Sequence, residues 1–284
     1  MFETIEDKRR QGETTIDQCR LAELYILDVF DELCRHIGVE YWFVGGSLIG
    51  AMRHNGFIPW DDDIDVGMTL PDYNKFVKMA PALLPDNLFL QTPKSCPGVF
   101  EAFAKLRDLN SFFCESHTNV ENPSGVFLDI FPYIRYPVFK HRIFTEMLTR
   151  GRSLTWRKER YHRAKGHRFL LGIFISFFAA VFWRMCHMFL VGLTQVFRLI
   201  LPNAWHEIPE AGNTTAQWPD EYIFPIARHV FEGKLYCIPA KADEALTQAF
   251  GNWKVMPPVD KRPVHATIMS PLTAPDVPWA VASK

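Results

Sequence analysis

The sequence predicts an α/β fold, and three observations carry that expectation. Residues 41–44 (YWFV) form a short all-apolar run closed by Gly45-Gly46, the pattern of a strand buried on both faces. Helical signatures lie on either side of it: an amphipathic stretch ending at Gly38, and residues 48–54 directly after the glycines. Further on, Asp63-Ile64-Asp65-Val66 alternates polar and apolar residues, as a half-buried strand does. Strands interleaved with helices in this way build a sheet with helices packed on it.

A chain of 284 residues permits one large domain or two small ones, and 48% apolar content suffices for a sizeable core. The net charge of −1 gives no global pull toward nucleic acid. Six scattered cysteines without a C-x-x-C pair predict free thiols in a reducing compartment and no zinc site. The opening run MFETIEDKRRQGE lacks an apolar core, so no signal peptide is expected.

Taken in order, Thr15-Ile16-Asp17-Gln18 reads as a capping box, followed by an apolar series at Leu21, Leu24, Leu27, Phe30, Leu33 and Ile37. His36, in the last turn, either complements the helix dipole or is simply exposed. Gly45, Gly46 and Ser47 then present backbone N–H groups at a helix N-terminus. That suits a phosphate, although most such turns are only turns.

The acidic run that follows is stronger. Side chains at i and i+2 leave a strand on one face, about 7 Å apart at the backbone, so Asp63 and Asp65 are expected to converge. Converging carboxylates repel unless a cation sits between them, and oxygen-only donors favour Mg²⁺, Mn²⁺ or Ca²⁺. Pro59, Trp60, Ile64, Val66 and Met68 make this an ordered segment, not a solvated acidic loop. An EF-hand starting at Asp61 would need glycine where Val66 stands and glutamate where Asp72 stands. Asp61 and Asp62 are secondary candidates that support the ligands from behind.

Downstream, Pro71 opens a helix over residues 72–83. Residues 100–106 alternate as a strand, and Asp108-Leu109-Asn110 turns them back into residues 111–115 as a hairpin. Lys105 and Arg107 share one face of that strand, to grip a phosphate or to meet solvent. Residues 126–131 form a strand in which Asp129 is flanked by Leu128, Ile130 and Phe131. An aspartate there is costly to bury unless it meets a cation or is hydrogen-bonded.

Residues 150–168 are strongly basic, and residues 169–183 (FLLGIFISFFAAVFW) follow at once, interrupted by Arg184 before a second apolar run to residue 201. Fifteen uninterrupted apolar residues fall short of a membrane span. The readings are a buried core helix or, preferred, a basic aromatic-rich element lying in a membrane interface. Residues 202–219 read as an irregular loop, 222–227 and 230–238 as strands, 241–250 as a helix, and the tail from Pro257 as extended surface chain. His265 in that tail either contacts substrate or is exposed.

FVGGSLIGAMRHNGFIPWDDDIDVGM resembles the signature of the LicD family, the group that includes fukutin-related proteins and bacterial cholinephosphotransferases. GVFLDIFPY (125–133), FEGKLYCIP (231–239), FGNWKVMPP (250–258) and His265 are similar to its later segments and occur in the same order. The resemblance implies a nucleotidyltransferase-like mixed sheet flanked by helices, as one catalytic domain over residues 14–270, with a helical insertion at 150–201. It implies transfer of a phospho-alcohol, such as phosphocholine or a polyol phosphate, from a CDP-linked donor to a glycan or lipid-linked glycan hydroxyl. It makes Asp129 the third member of a Mg²⁺ (or Mn²⁺) site with Asp63 and Asp65. Gly45, Gly46, Ser47, Lys105, Arg107 and His265 would bind substrate, on the cytoplasmic face of a membrane. Two rivals stay open: a nucleotidyltransferase releasing pyrophosphate, and a non-catalytic cation-binding or membrane scaffold protein.

Overall fold

The computed structural model describes residues 2, 4–92, 94–96, 103–115, 124–137, 203–207, 217–262 and 266–274, with isolated positions 185, 189, 196 and 199. The chain divides into two compact units, Met1–Tyr133 with Glu221–Lys284, and Ile134–Asp220.

In the larger unit, helix α1 (Thr15–Ile37) starts from Thr14, one residue earlier than the sequence suggests. The Thr14 hydroxyl accepts from the Asp17 amide, and the Asp17 carboxylate accepts from the Thr14 amide. Asp17 is thus the acidic partner three residues into the helix, which shifts the box from Thr15 to Thr14. Gly38 closes the helix at φ +71°, a left-handed cap that glycine adopts without strain. The buried stripe runs through Cys19, Ala22, Ile26, Phe30, Leu33 and Ile37.

Strand β1 (Trp42–Phe43) leads into helix α2 (Gly45–His54). The glycines are therefore the first turn of the helix and not a turn ahead of it. Strand β2 (Asp65–Thr69) follows, with Thr69 capping helix α3 (Leu70–Met79), which ends in a 3₁₀ turn at Ala80–Ala82. Phe30 of α1 packs edge-on against Phe76 of α3, centroids 5.1 Å apart.

Strands β3 (Leu88–Gln91), β4 (Ala104–Asp108), β5 (Phe112–Glu115) and β6 (Phe127–Pro137) come next. The central sheet has the order β1-β2-β6-β4-β3. It is mixed: β2 and β6 are parallel, while the other neighbours are antiparallel. Gly67 lets β2 approach its neighbours closely, because a Cβ there would stand 2.8 Å from the Tyr133 ring and 2.9 Å from the Trp42 indole nitrogen.

The expected hairpin between β4 and β5 does not form. Asp108 and Phe113 turn their amides to the carbonyls of Val126 and Ser124, so the chain entering β6 lies where a hairpin partner would. Gly125 allows this, since any side chain there would collide with the Asp108 carbonyl.

In the smaller unit, β7 (Asn203–Glu207) pairs with β8 (Gln217–Trp218), so part of the expected loop at 202–219 is paired strand. Nearly all of the expected insertion at 150–201 lies outside the described residues, as does its membrane-facing role. Among the described residues no helix is long and apolar enough to cross a membrane.

Back in the larger unit, residues 222–227 are not a strand. Strands β9 (Ala227–Phe231) and β10 (Lys234–Ile238) form a hairpin through Glu232 and Gly233, at φ +49° and +79°. Two successive left-handed residues make the tight turn that matches strand twist, and this places the turn four residues later than expected, at 232–233 instead of 228–229. Helix α4 (Ala242–Phe250) follows. The tail is not surface coil throughout, because β11 (Ala266–Ser270) pairs with β5. Phe43, Phe57, Phe231 and Tyr236 cluster beneath the hairpin, with Phe231 5.0 Å from both other phenylalanine rings.

Candidate active site

Three side chains stand in one row across the sheet. Asp65 on β2 is in register with Asp129 on β6, and Asp129 is in register with Lys105 on β4. The Lys105 ammonium lies 3.0 Å from both Asp129 carboxylate oxygens and 3.6 Å from the centroid of the Phe127 ring. Lys105 is 2% and Asp129 6% exposed. A lysine this deep is held by a carboxylate and an aromatic face together. The isolated aspartate of an apolar strand thus has a charged partner.

The N-terminus of α2 faces this row. Val44, the residue that caps the helix, has no side-chain acceptor to offer its first amides. Carboxylates approach instead: a Cβ on Gly45 would stand 2.7 Å from Asp65 Oδ2, and one on Gly46 would overlap Asp61 Oδ2. Both glycines are therefore needed for side-chain approach, and Gly45 also sits at φ +55°. The Ser47 hydroxyl accepts from the Asp65 amide at 2.7 Å and pins the start of β2 to the helix. A phosphate at this N-terminus would share it with carboxylates, an arrangement that a divalent cation between them resolves.

Asp63 is placed differently from its sequence pattern. β2 begins at Asp65, so the two aspartates do not share a strand face. The Ile64 carbonyl already accepts from the Asp129 amide, and the residues before it form a loop. That loop is held by Arg20 of α1, which donates to the carbonyls of Ile58 and Asp61 at 3.0 and 2.9 Å. Within it the carboxylate oxygens of Asp61, Asp62 and Asp63 lie within 4.8 Å of one another. Asp62, 1% exposed, accepts from the Ala266 amide at the start of β11. This is a second acidic grouping beside the Asp65–Asp129 pair, and all of its donors are carboxylate oxygens, suited to a hard divalent cation.

Arg107 stays on the face of β4 that bears Lys105, but it turns inward. Its Nε donates to Gln91 at 2.6 Å and its Nη1 to the Gly125 carbonyl at 3.0 Å. At 3% exposure it ties β3 and the entry to β6 together. His265 lies outside the described residues.

The sequence reading missed Glu23. It sits on the buried side of α1, 1% exposed, and the charges acting on it are Asp63, Asp62, Arg20 and Asp61. Burial first, then the neighbouring aspartates, push its carboxyl well above the usual range. A glutamate one turn after Cys19 and one turn before Ile26 and Leu27 was the available signal.

The sequence model described as LicD/FKTN/FKRP, nucleotidyltransferase domain, matches residues 38–170. The chain is 29% identical to the lipopolysaccharide cholinephosphotransferase LicD of Haemophilus influenzae over 263 residues, 88% of this chain and 96% of that protein. A 35-residue stretch, 12% of this chain and 7% of the other, is 60% identical to the human ribitol 5-phosphate transferase FKRP. An uncharacterized protein of Rickettsia typhi is 32% identical over 76 residues, a quarter of each chain.

Proposed function

We propose, for a chain that belongs to the LicD/fukutin-related family of nucleotidyltransferase domains, a specific phospho-alcohol transfer. The enzyme is a phosphotransferase. Its proposed reaction takes phosphocholine or a polyol phosphate from a CDP-linked donor to a hydroxyl of a cell-surface glycan, with release of CMP.

The observation that carries this reading is the row Asp65, Asp129, Lys105 set against the N-terminus of α2. Gly45 and Gly46 offer backbone N–H groups to a donor phosphate, and Ser47 holds the helix in register with β2. Lys105, fixed between Asp129 and Phe127, adds positive charge where the leaving phosphate becomes more negative. Asp63, Asp65 and Asp129 would hold Mg²⁺ or Mn²⁺, which supplies Lewis-acid neutralisation of the diphosphate. The acceptor hydroxyl attacks the phosphorus bearing the alcohol, the bond to CMP breaks, and a carboxylate of the cluster takes the hydroxyl proton.

The test incubates purified protein with Mg²⁺, a panel of CDP-alcohols and a glycan acceptor. CMP release that depends on the acceptor supports the proposal. Pyrophosphate release from a nucleoside triphosphate would replace it with nucleotidyl transfer. Cation binding with no turnover of any nucleotide would leave a scaffold protein.

A further inference from the structure

We infer that a cavity walled by the N-terminal segment, the turn after β4 and the chain beyond β11 seats a sugar unit of the acceptor, a neutral ligand held through its hydroxyls. This rests on the reading of the acceptor as a glycan. The cavity measures about 380 Å³, and its lining includes Asp7, Arg9, Arg10, Asn110 and Thr273. Each of these side chains carries a hydrogen-bonding group. Arg9, 5% exposed, joins the three walls. Its Nε donates to Asp7 at 2.7 Å. Its Nη1 donates to the Asp108 carboxylate, two residues before Asn110, and at 3.0 Å to the Pro271 carbonyl, two residues before Thr273. Walls 262 positions apart in the chain are thereby fixed before a ligand arrives, so binding need not order them.

Two observations give the ligand its chemistry. The first is charge balance. Arg9 and Arg10 stand against Asp7 in the lining and Asp108 behind Arg9, two guanidinium groups to two carboxylates. A wall so balanced offers an anion or a cation little net attraction. The second is what the Arg9–Asp108 ion pair leaves over. Arg9 Nη2 has no acceptor and Asp108 Oδ1 no donor among the described residues, and buried polar atoms are rarely left so. The two atoms are neighbours across one ion pair. A hydroxyl both donates and accepts, so it answers both, whereas a fully ionised phosphate answers the donor alone. Asp108 closes β4, the strand that carries Lys105, and stands about 10 Å along that strand from it. A sugar seated here is a part of the acceptor remote from the reacting hydroxyl, where its binding helps hold the acceptor without contacting the transferred phosphate.

The test uses full-length protein and saturation-transfer difference NMR. The probes are the methyl glycosides of glucose, galactose and N-acetylglucosamine, with inorganic phosphate as the anionic control. At least one glycoside should bind, and phosphate should not displace it. Arg10 and Asn110 are both exposed, so Arg10→Ala combined with Asn110→Ala should leave the melting temperature unchanged. It should weaken glycoside binding roughly tenfold, the loss of a charged and a neutral hydrogen bond. If the combined variant fails to fold, the two single variants decide, each with a smaller loss in the same direction. Asp129→Asn should bind the glycoside as the unaltered protein does, which separates the cavity from the active site. In the transfer assay the combined variant should raise KM for the glycan acceptor while kcat and the KM for the CDP-alcohol stay as they were. The inference is overturned if no glycoside binds, if phosphate displaces the bound glycoside, if Asp129→Asn abolishes the binding, or if the folded cavity variants bind as the unaltered protein does. Should no CMP be released at all, the proposed reaction fails, and the glycoside titrations still decide the cavity.

Discussion

At the scale of single residues, the chemistry rests on carboxylates whose environments differ. Asp63→Asn and Asp65→Asn should each lower transfer at least on the order of 10²-fold in steady-state assays, without lowering the melting temperature. Near-normal turnover in either folded variant would remove that residue from the reaction. Glu23 supplies a pH dependence in chelator-treated protein. Its carboxyl is raised above the 4.5 of a free glutamate by burial, Asp63, Asp62 and Asp61, against Arg20, with Cys19 also beside it. Below pH 4.5 both folded and unfolded chains hold the proton, and nothing is lost. As pH rises, the unfolded chain releases it first, so the folded state loses stability. Glu23→Gln removes this loss, and its gain in melting temperature should grow from pH 4.5 toward pH 8. Thiol reactivity follows burial in the same way. Cys19 is fully buried and pushed up to about 12, and Cys34 is buried and raised as well. Iodoacetamide followed by mass spectrometry should modify Cys114 ahead of Cys19 and Cys34, and reach those two only on unfolding.

At the scale of elements, the glycine turn is a helix N-terminus into which carboxylates reach. Gly45→Ala places a side chain at φ +55° and 2.7 Å from Asp65 Oδ2. It should cost about 1–2 kcal/mol of stability in a denaturant melt and displace Asp65, so activity should fall further than stability. The sequence made much of this legible. Patterns contained within one element came through: the α1 helix with its Gly38 stop, the α2 helix, the strand bearing Asp129, and the α4 helix. What failed was set by distant partners. Nothing near Asp108-Leu109-Asn110 indicates that β4 pairs with β6 or that β5 waits for β11. The period-two pattern of Asp63 and Asp65 is real in sequence, but hydrogen bonding to Ser47 and Asp129 starts the strand at Asp65. Lys105 and Arg107 alternate identically, yet Lys105 meets the Asp129 carboxylate while Arg107 donates to Gln91 and to the Gly125 carbonyl.

At the scale of the whole molecule, the basic and phenylalanine-rich residues 150–201 bear on where the enzyme works. We propose peripheral attachment to the cytoplasmic face of an anionic membrane, with basic residues contributing about 1 kcal/mol each near the surface. In flotation with anionic liposomes the protein should rise with the vesicles, less so at high salt. Replacing Arg157, Lys158, Arg160 and Arg163 by glutamine should leave it behind while turnover of a soluble acceptor persists. No flotation by the unaltered protein would remove the membrane from the account. The fold also has a consequence in time. Asp62 and the Ala266 amide that it accepts are 204 positions apart, and Arg9 meets the Pro271 carbonyl across 262. A ribosome therefore delivers the acidic loop long before the strand that braces it. Throughout most of synthesis the nascent chain carries three adjacent aspartates with no backbone donor from β11. A message cut short before β11 is encoded yields a polypeptide holding every proposed metal ligand and lacking that brace.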